Sequence, residues 1–337
     1  MAEQFDLIAI GHAIMDIVRT CDDAFLRHAG LHKGGMTIAE SPEQIAALAA
    51  QLTSGFEVSG GSAANVAVGM ASFGGRAAFV GRVAEDTYGR MFRHDIRGTG
   101  VVFDAPSVAL SAKGTSHALV LVTPDGTRTM LTHLGCSAGV DTHLIDGETI
   151  ANCRMVYLEG YLFDCPNAKA MLGRVAAMAR AKQRKIAFCL PATSCIDRHR
   201  AAMLSVVRDR VDVLFANEKE ILSLYRVHTL DEALKRVGRD VGLAVVTRSA
   251  HGAIVVTNGQ RTTMPAEKVA NVVDSTGAGD MYAAGFLYGW LRQGDVQLAN
   301  RLGSFAAAEI ITVSGARPEV RLGHLAKMRG LLDEVVA

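Results

Sequence analysis

Asp274-Ser275-Thr276-Gly277-Ala278-Gly279-Asp280, running into the helix-forming stretch Met281-Tyr282-Ala283-Ala284-Gly285-Phe286-Leu287-Tyr288-Gly289-Trp290, is the segment on which the reading of this chain turns. Gly277, Ala278 and Gly279 are small enough for successive backbone N–H groups to converge at a helix N-terminus, where the dipole favours anionic oxygens. Asp280 then falls in the first helical turn, beside that anion hole. A carboxylate in this position can accept the proton of a hydroxyl attacking a phosphoryl group. Taken alone, the same residues also describe a tight loop with a capping charge.

A second glycine-rich segment, Ser59-Gly60-Gly61-Ser62-Ala63-Ala64-Asn65-Val66-Ala67, also opens into a small-residue helix. Gly60 and Gly61 allow close backbone approach, and Asn65 places a donor and an acceptor one turn inside the helix, which suits a vicinal diol. By itself this segment is equally compatible with plain packing. Neither segment is a Gly-x-x-x-x-Gly-Lys-Ser/Thr phosphate loop. The first strand is followed by Gly11-His12-Ala13-Ile14-Met15-Asp16, not by a dinucleotide fingerprint. Phosphate binding is therefore expected late in the chain.

Working outward, short apolar runs at 5–10, 77–81, 154–158, 185–190, 211–215 and 243–247 alternate with helical patterns. The helical patterns lie at 86–98, 167–181, 198–208, 218–225 and 231–241. This rhythm predicts an α/β fold: a central, mostly parallel sheet covered by helices on both faces. Segments 12–40 and 106–135 depart from it. Their half-exposed alternation, with a Pro124-Asp125-Gly126 turn between 117–122 and 128–132, predicts a small β lid outside the main sheet, and 42–52 reads as a helix. A single domain spanning 1–337 is expected.

Composition narrows the function classes. The 337 residues are 49% hydrophobic and 20% charged, so a disordered chain is excluded. Thirty-five Lys and Arg against 34 Asp and Glu give a net charge of +1, which argues against a nucleic-acid partner. No apolar run reaches the roughly 18–20 residues of a membrane span. The first residues show no secretory pattern, so a cytoplasmic protein with a small-molecule substrate is expected. Cys21, Cys136, Cys153, Cys165, Cys189 and Cys195 form no Cys-x-x-Cys pair and read as structural thiols.

Together, the segments at 60–75 and 274–289 resemble the two signatures of the PfkB-type carbohydrate and nucleoside kinases, the ribokinase-like superfamily. The resemblance extends from about residue 5 to residue 320. It implies Asp280 as catalytic base, with Gly277, Ala278 and Gly279 as the anion hole. It implies Asp16, Gly60, Gly61 and Asn65 as contacts to substrate hydroxyls. Asn217-Glu218-Lys219-Glu220 is similar to the Asn-x-x-Glu motif that organises Mg²⁺ and its waters, although the residues alone equally describe a helix capping box. Thr247, Arg248 and Gly252 fall on the family's ATP-binding loop, with Ser249 where glycine is usual. Arg128 resembles a lid arginine that reaches the phosphates. Asp274 and Thr276, with carbonyls from 310–319, match a potassium site.

Among family branches the bacterial adenosine-kinase-like one is most similar, which implies adenosine as acceptor and Phe163 or Tyr161 as a surface for its base. The alternatives are a sugar kinase for ribose, fructose or a keto-deoxy sugar acid, and a non-catalytic sugar-binding member. A homodimer formed through the lid is a further implication.

Overall fold

The computed structural model describes residues 5–53, 55–105, 108–109, 113–145 and 147–332. Residues 106, 107 and 110–112 of the second predicted lid segment lie outside the described residues. In chain order the strands are β1 (Phe5–Ile10), β2 (Ile14–Thr20), β3 (Met36–Ile38), β4 (Gly55–Gly60), β5 (Ala77–Val80), β6 (Ser116–Val122) and β7 (Arg128–His133). There follow β8 (Cys153–Glu159), β9 (Lys185–Cys189), β10 (Val213–Asn217), β11 (Leu243–Thr247), β12 (Ala253–Thr257) and β13 (Gln260–Met264).

The main sheet runs β13-β12-β11-β10-β9-β8-β1-β5, parallel from β11 through β5, with β12 and β13 added antiparallel at one edge. Successive residues of each strand feed opposite cores. Ile8, Ile10, Val156, Leu158, Phe188, Leu214 and Val246 pack on one face, under the helices Ala168–Ala181, Thr193–Arg210, Glu218–Tyr225 and Leu230–Asp240. Leu7, Ala9, Met155, Tyr157, Phe215 and Val245 pack on the other, under Ser62–Ser72, Thr87–Gly98, Ala278–Gln293 and Val296–Ile310. Burial on both sides is why these strands read as unbroken apolar runs. The strand expected at 211–215 begins two residues later, because the Thr193–Arg210 helix runs on to Val211, its C-cap. Asn258 and Gly259, both at positive φ, turn β12 into β13 as a two-residue hairpin.

The predicted small sheet is present, and it is larger than the 12–40 and 106–135 segments. Its order is β3-β7-β6-β2-β4, so Gly55–Gly60 is its edge strand, paired antiparallel to β2. One face, with Ile17, Leu119, Leu121 and Leu131, is covered by the helices Asp23–His28 and Pro42–Ala49. The opposite face carries Val18, Ala118, Val120 and Val122, with Ile14, Val58 and Met130 half-buried around them. Asp16 alternates onto this second face, between Ile14 and Val18.

The chain passes from the main sheet to the small one between β1 and β2, and returns between β4 and the Ser62–Ser72 helix. Glu159, at the end of β8 and 2% exposed, fastens both crossings. Its Oε1 accepts from the His12 N–H at 2.7 Å and its Oε2 from the Ala63 N–H at 2.8 Å. The His12 ring continues the tie, with Nδ1 3.0 Å from Ser137 Oγ, which in turn accepts from Ser116 Oγ at the start of β6. Glu159→Ala strands two buried donors at once, so a loss of about 2–5 kcal/mol is expected. Urea denaturation at pH 7 measures it. A loss below about 1 kcal/mol would show that water satisfies the two N–H groups equally well.

Candidate active site

The two glycine-rich segments meet because their helices pack almost backbone to backbone. A Cβ on Gly69 would lie 2.5 Å from Ala284 Cβ and 3.0 Å from Met281 Sδ, so only glycine permits this approach of Ser62–Ser72 to Ala278–Gln293. The first turns of both helices are thereby brought together. Asp280, third residue of its helix, accepts from Ser62 Oγ at 2.7 Å through Oδ1 and from Asn65 Nδ2 at 3.0 Å through Oδ2. Burial pushes the Asp280 carboxyl above its ordinary range, against the pull of these two bonds and of the Arg128 charge.

Gly277 caps the helix at φ 76, in the left-handed region, and a Cβ there would meet Ala316 Cα at 2.8 Å. The residues expected to form the anion hole thus stand at the mouth of a 16-residue helix whose first N–H groups have no intrahelical partners. Asp274 sits behind this turn, 1% exposed. Its Oδ1 accepts from the N–H and hydroxyl of Thr276, and its Oδ2 accepts from Gly315 N–H at 2.9 Å. The 274–276 and 315–317 loops are therefore joined by Asp274, one of the two residues expected to hold potassium.

Asp16 lies 4% exposed on β2, with Oδ1 lacking a hydrogen-bond partner among the described residues and Oδ2 against Gly60, where any Cβ would come within 2.2 Å of it. Burial raises its carboxyl to about 7, opposed first by Arg317 and then by Arg128. Asn65 is buried, and its amide spans two groups. Nδ2 donates to Asp280, and Oδ1 accepts from Arg317 Nε at 3.4 Å. Gly61, at φ 95, caps the helix that carries both Ser62 and Asn65.

The expected nucleotide and magnesium residues gather at the carboxyl ends of neighbouring parallel strands, where Asn217 of β10 pairs in register with Thr247 of β11. Asn217 and Glu220 form a reciprocal capping box, with Asn217 N–H on Glu220 Oε2 at 2.8 Å and Glu220 N–H on Asn217 Oδ1 at 2.9 Å. Burial and the Asp280 charge both push the Glu220 carboxyl upward, to about 8. A cation beside it would relieve that opposition, and the oxygen donor set suits magnesium bound through its waters. In the next loop Arg248 Nε donates to Glu218 Oε2 at 3.2 Å, and Thr247 Oγ1 reaches Ala216 O at 3.4 Å. Ser249 adopts φ 51, so serine occupies a left-handed position that glycine fills without strain. Gly252, at φ 77, closes the loop by accepting from Arg248 N–H at 2.7 Å. Arg128 extends from β7, and its charge is felt at Asp16, Asp280 and Glu220 alike.

Phe163 is the correction. It is 4% exposed and built into the main-sheet core, edge-on to Phe188 at 6.2 Å and against the His199 ring at 6.1 Å. Its ring has no free face for a base. Tyr161 packs on the same core, its hydroxyl taking the Ala192 N–H. The motifs by themselves did not single out Ser62 or Arg317 as site residues. Ser62 stands within the second segment, and Arg317 stands within the 310–319 segment, which was marked for its carbonyls and not for its side chains.

The profile described as pfkB family carbohydrate kinase matches residues 5–321. Among solved structures, the adenosine kinase from Sinorhizobium meliloti superposes with a TM-score of 0.94 at 39% identity, covering 97% of this chain and 99% of that one. A probable sugar kinase protein from Rhizobium etli CFN 42 gives 0.95 at 36% identity, covering 98% and 100%. The ATP-dependent ribose-1-phosphate kinase of Halopiger xanaduensis is 32% identical over 260 residues, 77% of this chain and 82% of that protein.

Asp280→Asn is expected to lower kcat by roughly 10²–10⁴ while ATP and acceptor still bind. Unchanged kcat would remove Asp280 from the chemistry. Ser62→Ala withdraws a hydrogen bond that favours the ionised carboxylate, so the Asp280 pKa should rise further. The acidic limb of the kcat–pH profile should then move to higher pH, and a limb that moves down or stays put contradicts the assignment. Ser249→Gly removes the left-handed strain, which should offset the entropy cost of glycine and gain up to about 1 kcal/mol in thermal unfolding.

Proposed function

This chain belongs to the pfkB family of carbohydrate kinases, and we propose that its acceptor is a purine nucleoside, adenosine foremost, phosphorylated at the 5′-hydroxyl. The protein is an ATP-dependent kinase with a hydroxyl acceptor, within the range of sugar and nucleoside kinases that its relatives span. The acceptor reading is carried by the setting of Asp16. This carboxylate stands within the apolar face of the small sheet, with Ile14, Val58 and Met130 still partly open around it. An acceptor whose hydroxyls bind Asp16 lies against those side chains. A nucleoside has a flat apolar base to cover them, and a bare sugar does not. The 39% identity to a structure described as an adenosine kinase supports the same choice.

In this reading the acceptor's diol is held by Asp16, the Gly60–Gly61 backbone and the Asn65 side of the cleft, turning the primary hydroxyl toward Asp280. Asp280 takes the hydroxyl proton as the oxygen attacks the γ-phosphorus and the bond to the leaving ADP breaks, and the Gly277, Ala278 and Gly279 N–H groups receive the phosphoryl charge. Thr247, Arg248 and Gly252 flank the ATP. Asn217 and Glu220 would hold magnesium through its waters, and the ion would supply neutralisation of the phosphate charge. Arg128 adds a positive charge from β7. The small sheet acts as a lid that keeps water from the reacting phosphate.

An ADP-release panel of nucleosides, ribose, fructose, ribose 1-phosphate and a keto-deoxy sugar acid, with and without potassium, tests the acceptor. Adenosine should give the highest kcat/KM, with the product's phosphorus signal that of a 5′-monophosphate. A sugar or ribose 1-phosphate outperforming every nucleoside would replace this acceptor while leaving the kinase class in place. Phe163→Ala should lower stability by about 3–5 kcal/mol without selectively weakening nucleosides, because its ring fills core volume.

A further inference from the structure

We infer that Arg317 is a positioning residue of the acceptor site, locking the Asn65 amide against Asp280 and providing the fixed positive charge that Asp16 faces. The inference rests on the roles proposed above for Asp16 and Asp280. Its geometric basis lies in what the guanidinium touches. Nε donates to Asn65 Oδ1 at 3.4 Å, Nη1 donates to Ser59 Oγ, and Cζ lies 5.9 Å from the Phe92 ring centroid.

A guanidinium only donates, and a carboxylate only accepts. With Arg317 on one side and Asp280 on the other, the Asn65 amide has one permitted orientation: oxygen to Arg317, nitrogen to Asp280. Without the arginine the amide oxygen has no donor, so only the bond to Asp280 holds the amide, and it can swing away from the carboxylate. That would cost Asp280 one of its two hydrogen bonds.

The second observation is a pair of unpaired buried atoms. Among the described residues, Asp16 Oδ1 and Arg317 Nη2 each lack a hydrogen-bond partner although both are shielded from solvent. One is an acceptor and the other a donor, which is the complement of a hydroxyl group. The loop supplying Arg317 is also the wall of the anion hole, since Ala316 packs on Gly277 and Gly315 N–H bonds Asp274. Residues 315–317 therefore join the phosphate side of the site to the acceptor side.

The charges acting on Asp16 are Arg317 and Arg128, which favour its ionised form, and Asp280 and Asp274, which oppose it. Arg317 is the larger of the two favourable influences. Removing it leaves Asp16 protonated over more of the neutral range, and an acid that is already protonated binds hydroxyls less well as an acceptor. The defect should then be greatest at low pH and shrink as pH rises and Asp16 ionises.

The test is steady-state kinetics of Arg317→Met and Arg317→Lys at pH 6.5 and 8.5, with ATP and with adenosine or whichever panel acceptor proves best. For Arg317→Met, the acceptor KM should rise about tenfold or more at pH 6.5 and distinctly less at pH 8.5, with the ATP KM within about twofold of wild type. Arg317→Lys keeps the charge and loses the fork, so the acceptor KM should return toward the wild-type pH dependence while kcat falls below wild type. An acceptor KM for Arg317→Met that is unchanged, or raised equally at both pH values, overturns the inference. If Arg317→Met does not fold, Arg317→Lys decides: wild-type kcat in that variant overturns the positioning role. Asp16→Asn separates the two levels, because an unchanged acceptor KM there would reject the site reading itself.

Discussion

The contact between the Asp280 carboxylate and the first turn of the Ser62–Ser72 helix is the constraint around which the molecule is arranged. Two helices more than 200 residues apart in sequence must present their N-termini to one site, and a half-buried carboxylate must be held there without being neutralised by a direct ion pair. Ser62 and Asn65 meet the second requirement with neutral hydrogen bonds, which leave Asp280 able to take a proton. Gly69 meets the first, because its missing side chain lets Ala284 and Met281 sit against the opposing backbone. The same device recurs on the far side of the Ala278–Gln293 helix. Gly285 approaches the Leu302 carbonyl and Gly289 the Ala299 Cα, so the helix is clamped by close backbone contacts on both sides.

Opposing pressures meet at nearly every ionisable group of the cleft. Asp16, Glu159, Glu220 and Asp280 are all driven upward by burial; Arg128 opposes this at Asp16, Glu220 and Asp280, and each group has further partners of its own. For Glu159 the partners are His12 and backbone N–H groups at the sheet crossings, and its task is structural. For Asp16 they are two arginines from distant segments. For Glu220 they are Asn217 and Arg128. The carboxylates of Asp16, Glu220 and Asp280 oppose an approaching polyphosphate to the extent that they are ionised. Arg128 and a phosphate-bound cation are the elements that reverse that opposition.

Much of the fold was legible because buried parallel strands and amphipathic helices carry strong patterns. The runs at 5–10 and 243–247 and the helix at 218–225 coincide with their observed elements. β4 was not legible, since Gly55-Phe56-Glu57-Val58-Ser59-Gly60 has one half-buried apolar residue and is a strand only by its pairing to β2. β12 and β13 had a readable signal in Asn258-Gly259, but their membership of the main sheet depends on tertiary register. At the site, Asp280, Asn65, Gly277 and Asp16 were marked by motif. Phe163 was misread because an aromatic after a strand can point into a core or a cleft, and local sequence does not distinguish them.

What the sequence alone determined is therefore what short segments contain: a small-residue turn beside a carboxylate, a glycine-rich helix start, and a strand–helix rhythm that calls for a mostly parallel sheet covered on both faces. Those follow from local backbone geometry and from periodicity. Tertiary structure alone decided which distant groups share an electric field and a hydrogen bond. Arg317 reaches Asn65 across 252 residues, Glu159 reaches His12 across 147, and Ser62 reaches Asp280 across 218. Hydrogen bonds and burial depend on distance in space, and a pattern along the chain carries no record of it.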